Sequence, residues 1–190
     1  MRWEQLFADL EAQVAEQEAA LEQAEEPSRT RAEHGRVLLA DRLRGAVGHE
    51  LSLRCPGTPL AGRLVDVGVD WLLLADGQGR ELLVATAQVT AVGGLTSATA
   101  PASGPGPGEV ARRLDLRRAL RGLSRDRAAV SCLLTDGGAL TGTVDRVGAD
   151  FVELAEHPLD QPRRRAAVTA VRAVPLTAVV AVRTALPAVG

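Results

Sequence analysis

One pattern occurs twice in this sequence, and the duplication limits the possible folds more than any other feature. Residues 60–74 (LAGRLVDVGVDWLLL) align without a gap with residues 140–154 (LTGTVDRVGADFVEL), at an offset of 80. Downstream, residues 84–92 (VATAQVTAV) match residues 174–182 (VPLTAVVAV) at an offset of 90, so the second copy has extra residues between these two blocks. The sequence therefore predicts two related modules in tandem.

Shorter matches extend the two copies upstream. They are Leu53 with Leu133, Gly57 with Gly137, and Leu43-Arg44-Gly45 with Leu120-Arg121-Gly122. The last match follows a helix-like stretch in each copy, so each module is expected to begin with a helix.

Within each copy, apolar and polar residues alternate over short runs that are separated by turn sequences. Val130, Cys132 and Leu134 alternate before the turn at residues 136–138, and Val179–Val182 forms a final β-branched run. About five short strands without an intervening helix favour antiparallel pairing over a parallel sheet. The predicted fold is mainly β with N-terminal α: two tandem small antiparallel barrels behind a helical segment.

Six residues are predicted to shape the bends and turns of the two copies. They are Gly62, Gly68, Asp70, Gly142, Gly148 and Asp150. The first glycine of each copy lies where a strongly bent strand needs no side chain, and the second can adopt a positive φ. Each aspartate can accept hydrogen bonds from nearby backbone N–H groups, which suits turn formation better than acid–base chemistry.

The repeated pattern, an apolar strand and a glycine followed by LTGTVDRVGADFVELAEH (Leu140–His157) and a β-branched strand, resembles the Sm-like and SH3-like small barrels. The resemblance covers roughly residues 39–94 and 110–184, and it places Leu120-Arg121-Gly122 on a short leading helix. The Leu140–His157 stretch is also similar to an uncharacterised actinobacterial family whose members are often labelled automatically as transcriptional regulators.

The chain departs from the Sm pattern at the residues that bind RNA. Sm proteins that bind RNA use an aspartate and an asparagine in the loop after the glycine-containing strand. The aspartate position falls near Gly68 and Gly148, and asparagine is absent from the whole sequence. The resemblance therefore implies the barrel fold without the RNA pocket.

Residues 1–45 are predicted to form a helical segment. One face of a first helix is made by residues with a four-three spacing, apolar except for one glutamine, namely Trp3, Phe7, Leu10, Val14, Gln17, Leu21 and Ala24. A second helix is predicted from Thr30 to Leu43, because Thr30 and Glu33 have the spacing of a capping box. The first helix either packs on its own chain or forms a dimeric coiled coil.

Composition shifts divide the rest of the chain. The predicted first barrel spans residues 46–95, and a flexible linker rich in Pro, Gly, Ser and Ala spans residues 96–108. A leading helix and the second barrel span residues 109–184, and residues 185–190 form a tail. Because a barrel of this size buries little core, the copies are expected to pack on each other or on the helices.

Basic residues are concentrated in the second copy, and all of them are arginine. The candidate residues for nucleic-acid binding are Arg112, Arg113, Arg117, Arg118, Arg121, Arg163, Arg164 and Arg165. Such clusters could follow a phosphate backbone. Alternatively, they are solvated or pair with residues 1–26, which hold eight acidic residues, and the net charge of −2 favours that interpretation.

Candidate catalytic groups are sparse, so we expect no enzyme activity, metal or cofactor. His34, His49 and His157 lack the spacing of metal ligands. Cys55 and Cys132 are expected to be buried thiols without a disulfide. Trp71 and Phe151, at equivalent positions, are expected to be core or rim residues, with a stacking platform as the alternative.

The sequence thus predicts a cytoplasmic, non-catalytic protein-interaction or scaffolding module without a membrane span. Edge strands of small barrels pair readily with a protein partner or with a second copy, so edge-to-edge association is the expected mechanism. The alternative is a nucleic-acid-binding regulator that uses the arginine-rich helix and loop of the second copy. No small-molecule substrate is indicated.

Overall fold

A computed structural model of the chain describes residues 35–100, 114–160 and 163–184. The chain divides into two compact units, residues 1–39 and residues 40–190. Only residues 35–39 of the first unit are described, and all five are exposed. The predicted amphipathic first helix, the capping box at Thr30, most of the linker, Arg112, Arg113 and the 185–190 tail lie outside the described residues.

Two related sets of elements follow. The first half (residues 39–100) contains α1 (Leu39–Gly45), β1 (Glu50–Arg54), β2 (Pro59–Val67), β3 (Trp71–Ala75), β4 (Glu81–Ala85) and β5 (Ala91–Gly93). The second half (residues 114–184) contains α2 (Leu116–Asp126), β6 (Ala129–Leu134), β7 (Ala139–Val147), β8 (Phe151–Glu156), β9 (Ala170–Pro175) and β10 (Val179–Thr184). A single 3-10 turn precedes the last strand of each half, at Thr86–Gln88 and Leu176–Ala178.

The helices are short. The predicted second helix is wrong over residues 35–38, which form a turn and irregular backbone, and α1 begins only at Leu39. Gly35 and Val37 both disfavour a helix relative to alanine, which accounts for the late start. Within the part of the chain that the structure describes, no helix is long and apolar enough to cross a membrane.

All ten strands belong to one antiparallel sheet in the order β5-β1-β2-β3-β4-β10-β6-β7-β8-β9. The prediction of a mainly β, antiparallel chain is confirmed. The order β5-β1-β2-β3-β4 of the first half recurs as β10-β6-β7-β8-β9 in the second. The two halves are joined where β4 pairs with β10, so the sheet runs through both of them.

The strand register corrects one detail of the sequence alignment. Leu53 pairs with Leu60 across the β1–β2 hairpin, whereas Cys132 pairs with Leu140 across β6–β7. Leu53 is therefore equivalent to Cys132 and not to Leu133. The ungapped match was wrong here because the second hairpin turn is one residue longer, and a one-residue slip moves a side chain to the opposite face of a strand.

The long second strand of each half bends at the same place. A Cβ atom on Gly62 would lie 2.6 Å from the carbonyl oxygen of Ala75, and one on Gly142 would collide with the carbonyl oxygen of Ala155. A bulge follows, after Leu64 in β2 and after Val144 in β7. Close backbone approach followed by a bulge gives both strands the same change of direction.

Two hydrophobic cores interlock where the halves meet. The core of the first half includes Val180 and Ala181 from β10. The core of the second half includes Trp71, Leu83 and Ala85 from β3 and β4. Because each core takes side chains from the other half, the β4–β10 junction is part of the interior of the protein.

The hairpin turns of the two halves also touch. Gly57 and Gly137 have φ values of +75° and +84°, and a Cβ atom on Gly57 would lie 2.5 Å from the Cα of Gly137. Only glycine combines a left-handed backbone with this approach.

Replacing Gly57 by alanine tests this contact, and Gly79→Ala is the matched control. Gly79 has nearly the same φ, +77°, but nothing lies within 4 Å of its Cβ position. Gly79→Ala is expected to lose about 1–2 kcal/mol of stability through backbone strain alone. Gly57→Ala is expected to lose about 1–3 kcal/mol more, because the turns must separate. Equal losses in urea unfolding would contradict the contact.

The two cysteines are free and buried, with 8% of Cys55 and 2% of Cys132 exposed. Burial raises the pKa of both thiols, that of Cys132 to about 11.

Thiol labelling with a disulfide reagent at pH 8 checks this description. Only about one in a thousand Cys132 thiols is ionised at that pH, and the thiolate is the reactive form. The folded protein should label slowly, at Cys55 before Cys132, while both should react at once in denaturant. Fast native labelling of Cys132 would show that the second core opens readily.

Candidate functional site

The β4–β10 junction pairs an edge strand of one half with an edge strand of the other. Leu82, Leu83 and Val84 of β4 face Arg183, Val182 and Ala181 of β10 in a short antiparallel ladder. The Thr184 hydroxyl extends this contact. It accepts a hydrogen bond from the Glu81 N–H and donates one to the Glu81 carbonyl oxygen, each at 3.3 Å. The side chain of Gln88 adds a hydrogen bond to the carbonyl oxygen of Thr177.

The turn between β2 and β3 holds the start of α2. The carboxylate of Asp70 accepts a hydrogen bond from the Leu116 N–H at 2.6 Å. The indole N–H of Trp71 donates to the Leu114 carbonyl oxygen at 2.9 Å, and Val69 N–H donates to the same oxygen. Trp71 is 5% exposed and packs under α2, so it is not accessible as a stacking platform, while Phe151 is half-buried.

A second carboxylate caps α2. Asp115 accepts from the backbone N–H of Arg118, in the usual N-cap arrangement. The hydrogen-bonding guanidinium of Arg117, followed by that N–H, holds the pKa of Asp115 below its usual range. Because the pKa of Asp115 is lower in the folded protein than in the unfolded chain, the ionised carboxylate stabilises the fold at pH values above the ordinary pKa of aspartate. This stabilisation is lost as the pH falls through the lowered pKa.

Two strands of the sheet have an open side. They are β5 and β9, which stand at the two ends of the strand order. Directly after β9, the Leu176 N–H donates to the backbone carbonyl oxygen of Asp150, and hydrogen-bonded pairs alternate along antiparallel strands. Arg172 and Val174 therefore direct their backbone groups to β8, whereas Val171 and Ala173 direct theirs outward. Val171 is 58% exposed.

Four arginines share the outer face of α2. At 100° per residue, Arg117, Arg118, Arg121 and Arg125 fall within an arc of about 100°, and all four are exposed. The opposite face packs Leu116, Leu120 and Leu123 into the second core. The structure thus brings three of the predicted nucleic-acid-binding residues together and adds Arg125. We call these four residues the arginine face.

A polar cleft of about 300 Å³ lies at the C-terminal end of α2. Its lining consists of Ser124, Arg127, Val144, Asp145, Arg146, Glu153 and Arg163. The guanidinium of Arg163 binds both carboxylate oxygens of Asp145, at 2.6 and 2.5 Å. Of the predicted basic loop, only Arg163 lies in the cleft at the end of the arginine-rich helix. Arg164 and Arg165 are exposed and do not line the cleft.

Arg127 and Arg146 were missing from the predicted set. Arg127 ends α2 with φ +51°, and Arg146 follows the β7 bulge and lies 3.6 Å from Glu153. Arg127 closes the arginine-rich stretch of the sequence, whereas Arg146 is a single arginine outside it, so only its position in the cleft marks Arg146.

The buried histidine is a structural residue. His157 is 3% exposed, and its Nδ1 donates to the carbonyl oxygen of Pro158 at 2.8 Å. In the neutral ring Nε2 then accepts from the buried hydroxyl of Thr143, also at 2.8 Å. Among the residues that the structure describes, no group of three or more His, Cys, Asp and Glu side chains could hold a metal ion.

The sequence matches no protein-family model, and a search of curated proteins finds no significant match either. The resemblance to Sm-like barrels stays a prediction.

The equivalent aspartates Asp70 and Asp150 supply a matched pair of variants. Asp70→Ala removes a charge-assisted hydrogen bond to the start of α2 and should lower stability by about 1–2 kcal/mol. The Asp150 side chain accepts no hydrogen bond among the described residues, so Asp150→Ala should change stability by less than about 0.5 kcal/mol. Thermal and urea unfolding measure both, and equal effects would contradict the cross-half cap.

Proposed function

We propose that this protein is a non-catalytic scaffolding protein that associates through the exposed edge strands β5 and β9, and that its first partner is a second copy of itself. The observation that carries the proposal is the β4–β10 junction. The chain already buries one pair of these edges against each other, and β9 and β5 are the equivalents of β4 and β10 in the other half. Unpaired edge strands are ready templates for further strands.

The repeat also predicts the register of the contact. Moving each residue of the β4–β10 ladder by 90 positions gives Val174, Ala173 and Arg172 of β9 opposite Ala91, Val92 and Gly93 of the second copy. Ala173, at the centre, directs its backbone groups to the open side. Pro175, which lacks an N–H, lies outside the three pairs and leaves the ladder intact.

The outer edges are less apolar than the buried ones, which makes the association weaker than the junction. Arg172 stands where β4 has Leu82, and Ala173 stands where β4 has Leu83. Arg172 is moreover paired with Glu156 on β8. A charged side chain on an edge strand limits uncontrolled pairing, so a concentration-dependent equilibrium is expected.

We further propose that each half is a small barrel of the Sm-like or SH3-like kind. A short helix followed by five antiparallel strands is the order that the resemblance implies. The bend of the second strand at Gly62 and Gly142, each followed by a bulge, supports curvature of the sheet in both halves.

Contact between two different edges is heterologous, so a pair of bound copies again presents one free β5 on one copy and one free β9 on the other. Such contacts close into rings where the rotation per copy allows it and otherwise grow into filaments. The expected products are oligomers of more than two copies.

Ala173→Pro tests the proposal. Proline removes only the outward N–H, and edge strands tolerate proline at such positions, so the monomer should fold. The control is Ala173→Val, which keeps the N–H and favours a strand. Light scattering over a concentration series should show oligomers for the wild type and Ala173→Val, and monomers for Ala173→Pro.

Two outcomes would overturn the proposal. One is a wild-type protein that stays monomeric at every concentration. The other is an oligomer that Ala173→Pro leaves unchanged, because association would then use another surface.

A further inference from the structure

Three of the four residues of the arginine face carry charge that no acidic side chain of the described residues balances. Arg118, Arg121 and Arg125 have no ion-pair partner among the described residues, and Arg117 is paired only with Asp115, at 2.8 Å. Asp126, the acid within α2, lies outside the arc of the arginines. The chain has a net charge of −2, so this face is a local positive surface on an acidic protein.

The geometry of the face suits a linear array of negative charges. From Arg117 to Arg125 the helix rises about 12 Å. A nucleic-acid duplex carries one phosphate charge per roughly 1.7 Å of its axis, so several phosphates fall within reach of a helix lying along the backbone. The cleft beyond the C-terminal end of the helix adds Arg127, which has no ion-pair partner among the described residues, whereas Arg163 and Arg146 in its lining are paired with Asp145 and Glu153.

The outer side of α2 is charged and offers no apolar centre to a protein partner. Its exposed residues are arginines, with no large apolar side chain that could serve as a central anchor. Gly122 lies beside them, and nothing is found within 4 Å of its Cβ position. Glycine inside a helix is less stable than alanine by roughly 1 kcal/mol, and no contact requires it here. Its small size does allow a ligand backbone to approach closely.

We propose that the arginine face binds the phosphate backbone of a nucleic-acid duplex, without reading its sequence. The helix N-terminus is closed by the carboxylates of Asp70 and Asp115, so contact runs from the middle of α2 towards its C-terminal end. This activity is separate from the edge-strand association, because it uses side-chain charge and no backbone edge.

The test is the binding of a fluorescent duplex DNA of arbitrary sequence to the full chain, followed by anisotropy over a series of salt concentrations. Three phosphate contacts, by Arg118, Arg121 and Arg125, predict that log K falls with log salt with a slope of about −2.7. Arg118→Ala/Arg121→Ala should reduce the slope by about 1.8 and weaken binding severalfold at low salt. Alanine favours the helix, so this variant should fold.

The matched control is Arg54→Ala/Arg63→Ala, which removes the same charge from exposed positions on β1 and β2 of the first half. It should bind like the wild type. Ala173→Pro should also bind as a monomer, which separates this proposal from the previous one. A parallel titration with poly-glutamate gives the response of an acidic polypeptide.

Three results would overturn the inference. The first is no binding to duplex at low salt. The second is an equal loss in the two double variants, which would make the effect one of overall charge. The third is binding of poly-glutamate with the same affinity and the same dependence on Arg118 and Arg121, because the face would then be a site for an acidic protein.

Discussion

Backbone hydrogen bonding between β4 and β10 is the interaction on which the rest of the structure depends. It makes one ten-stranded sheet out of two five-stranded halves. It also inserts Val180 and Ala181 into the first core and Leu83 into the second. Small sheets with one buried face gain little stability alone, so sharing side chains across a common edge compensates for the size of each half.

The β2–β3 turn of the first half and the equivalent β7–β8 turn of the second half make different contacts with α2. The β2–β3 turn of the first half fixes the start of α2 through Asp70 and Trp71. In the second half, the Ala149 carbonyl oxygen accepts a hydrogen bond from Arg117 instead. The first half therefore positions the helix, and the second half packs its apolar side, which leaves the arginine face exposed.

Two kinds of surface remain available, and they rest on different physics. The outer edges of β5 and β9 offer backbone N–H and C=O groups, whose pairing depends on geometry and on the exclusion of water. The arginine face offers charge, whose attraction weakens as salt screens it. A change in ionic strength therefore acts mainly on the second surface.

Features that depend on residues close together in the sequence could be predicted from it. The repeat, the short alternating strands and the antiparallel class were predicted correctly, because side-chain periodicity is a property of neighbouring residues. The positive φ expected at Gly68 and Gly148 was wrong: both have a negative φ, and each glycine instead leaves room for the ring of Trp71 or Phe151. The one-residue slip at Leu53 arose where the alignment had no gap, since the register of Cys132 is set by pairing with Leu140 and not by its own neighbours. The capping box predicted a helix that the described residues show only from Leu39 onward.

The sequence by itself determined that two similar, mainly β modules follow one another and that arginine is concentrated in the second. Only the tertiary structure decided that β4 pairs with β10, that Asp70 reaches Leu116 across 46 positions, and that Arg163 binds Asp145 at the end of α2. The physical reason is that backbone N–H and C=O groups are the same in every residue. Which edges meet is therefore set by the shape and packing of the folded halves.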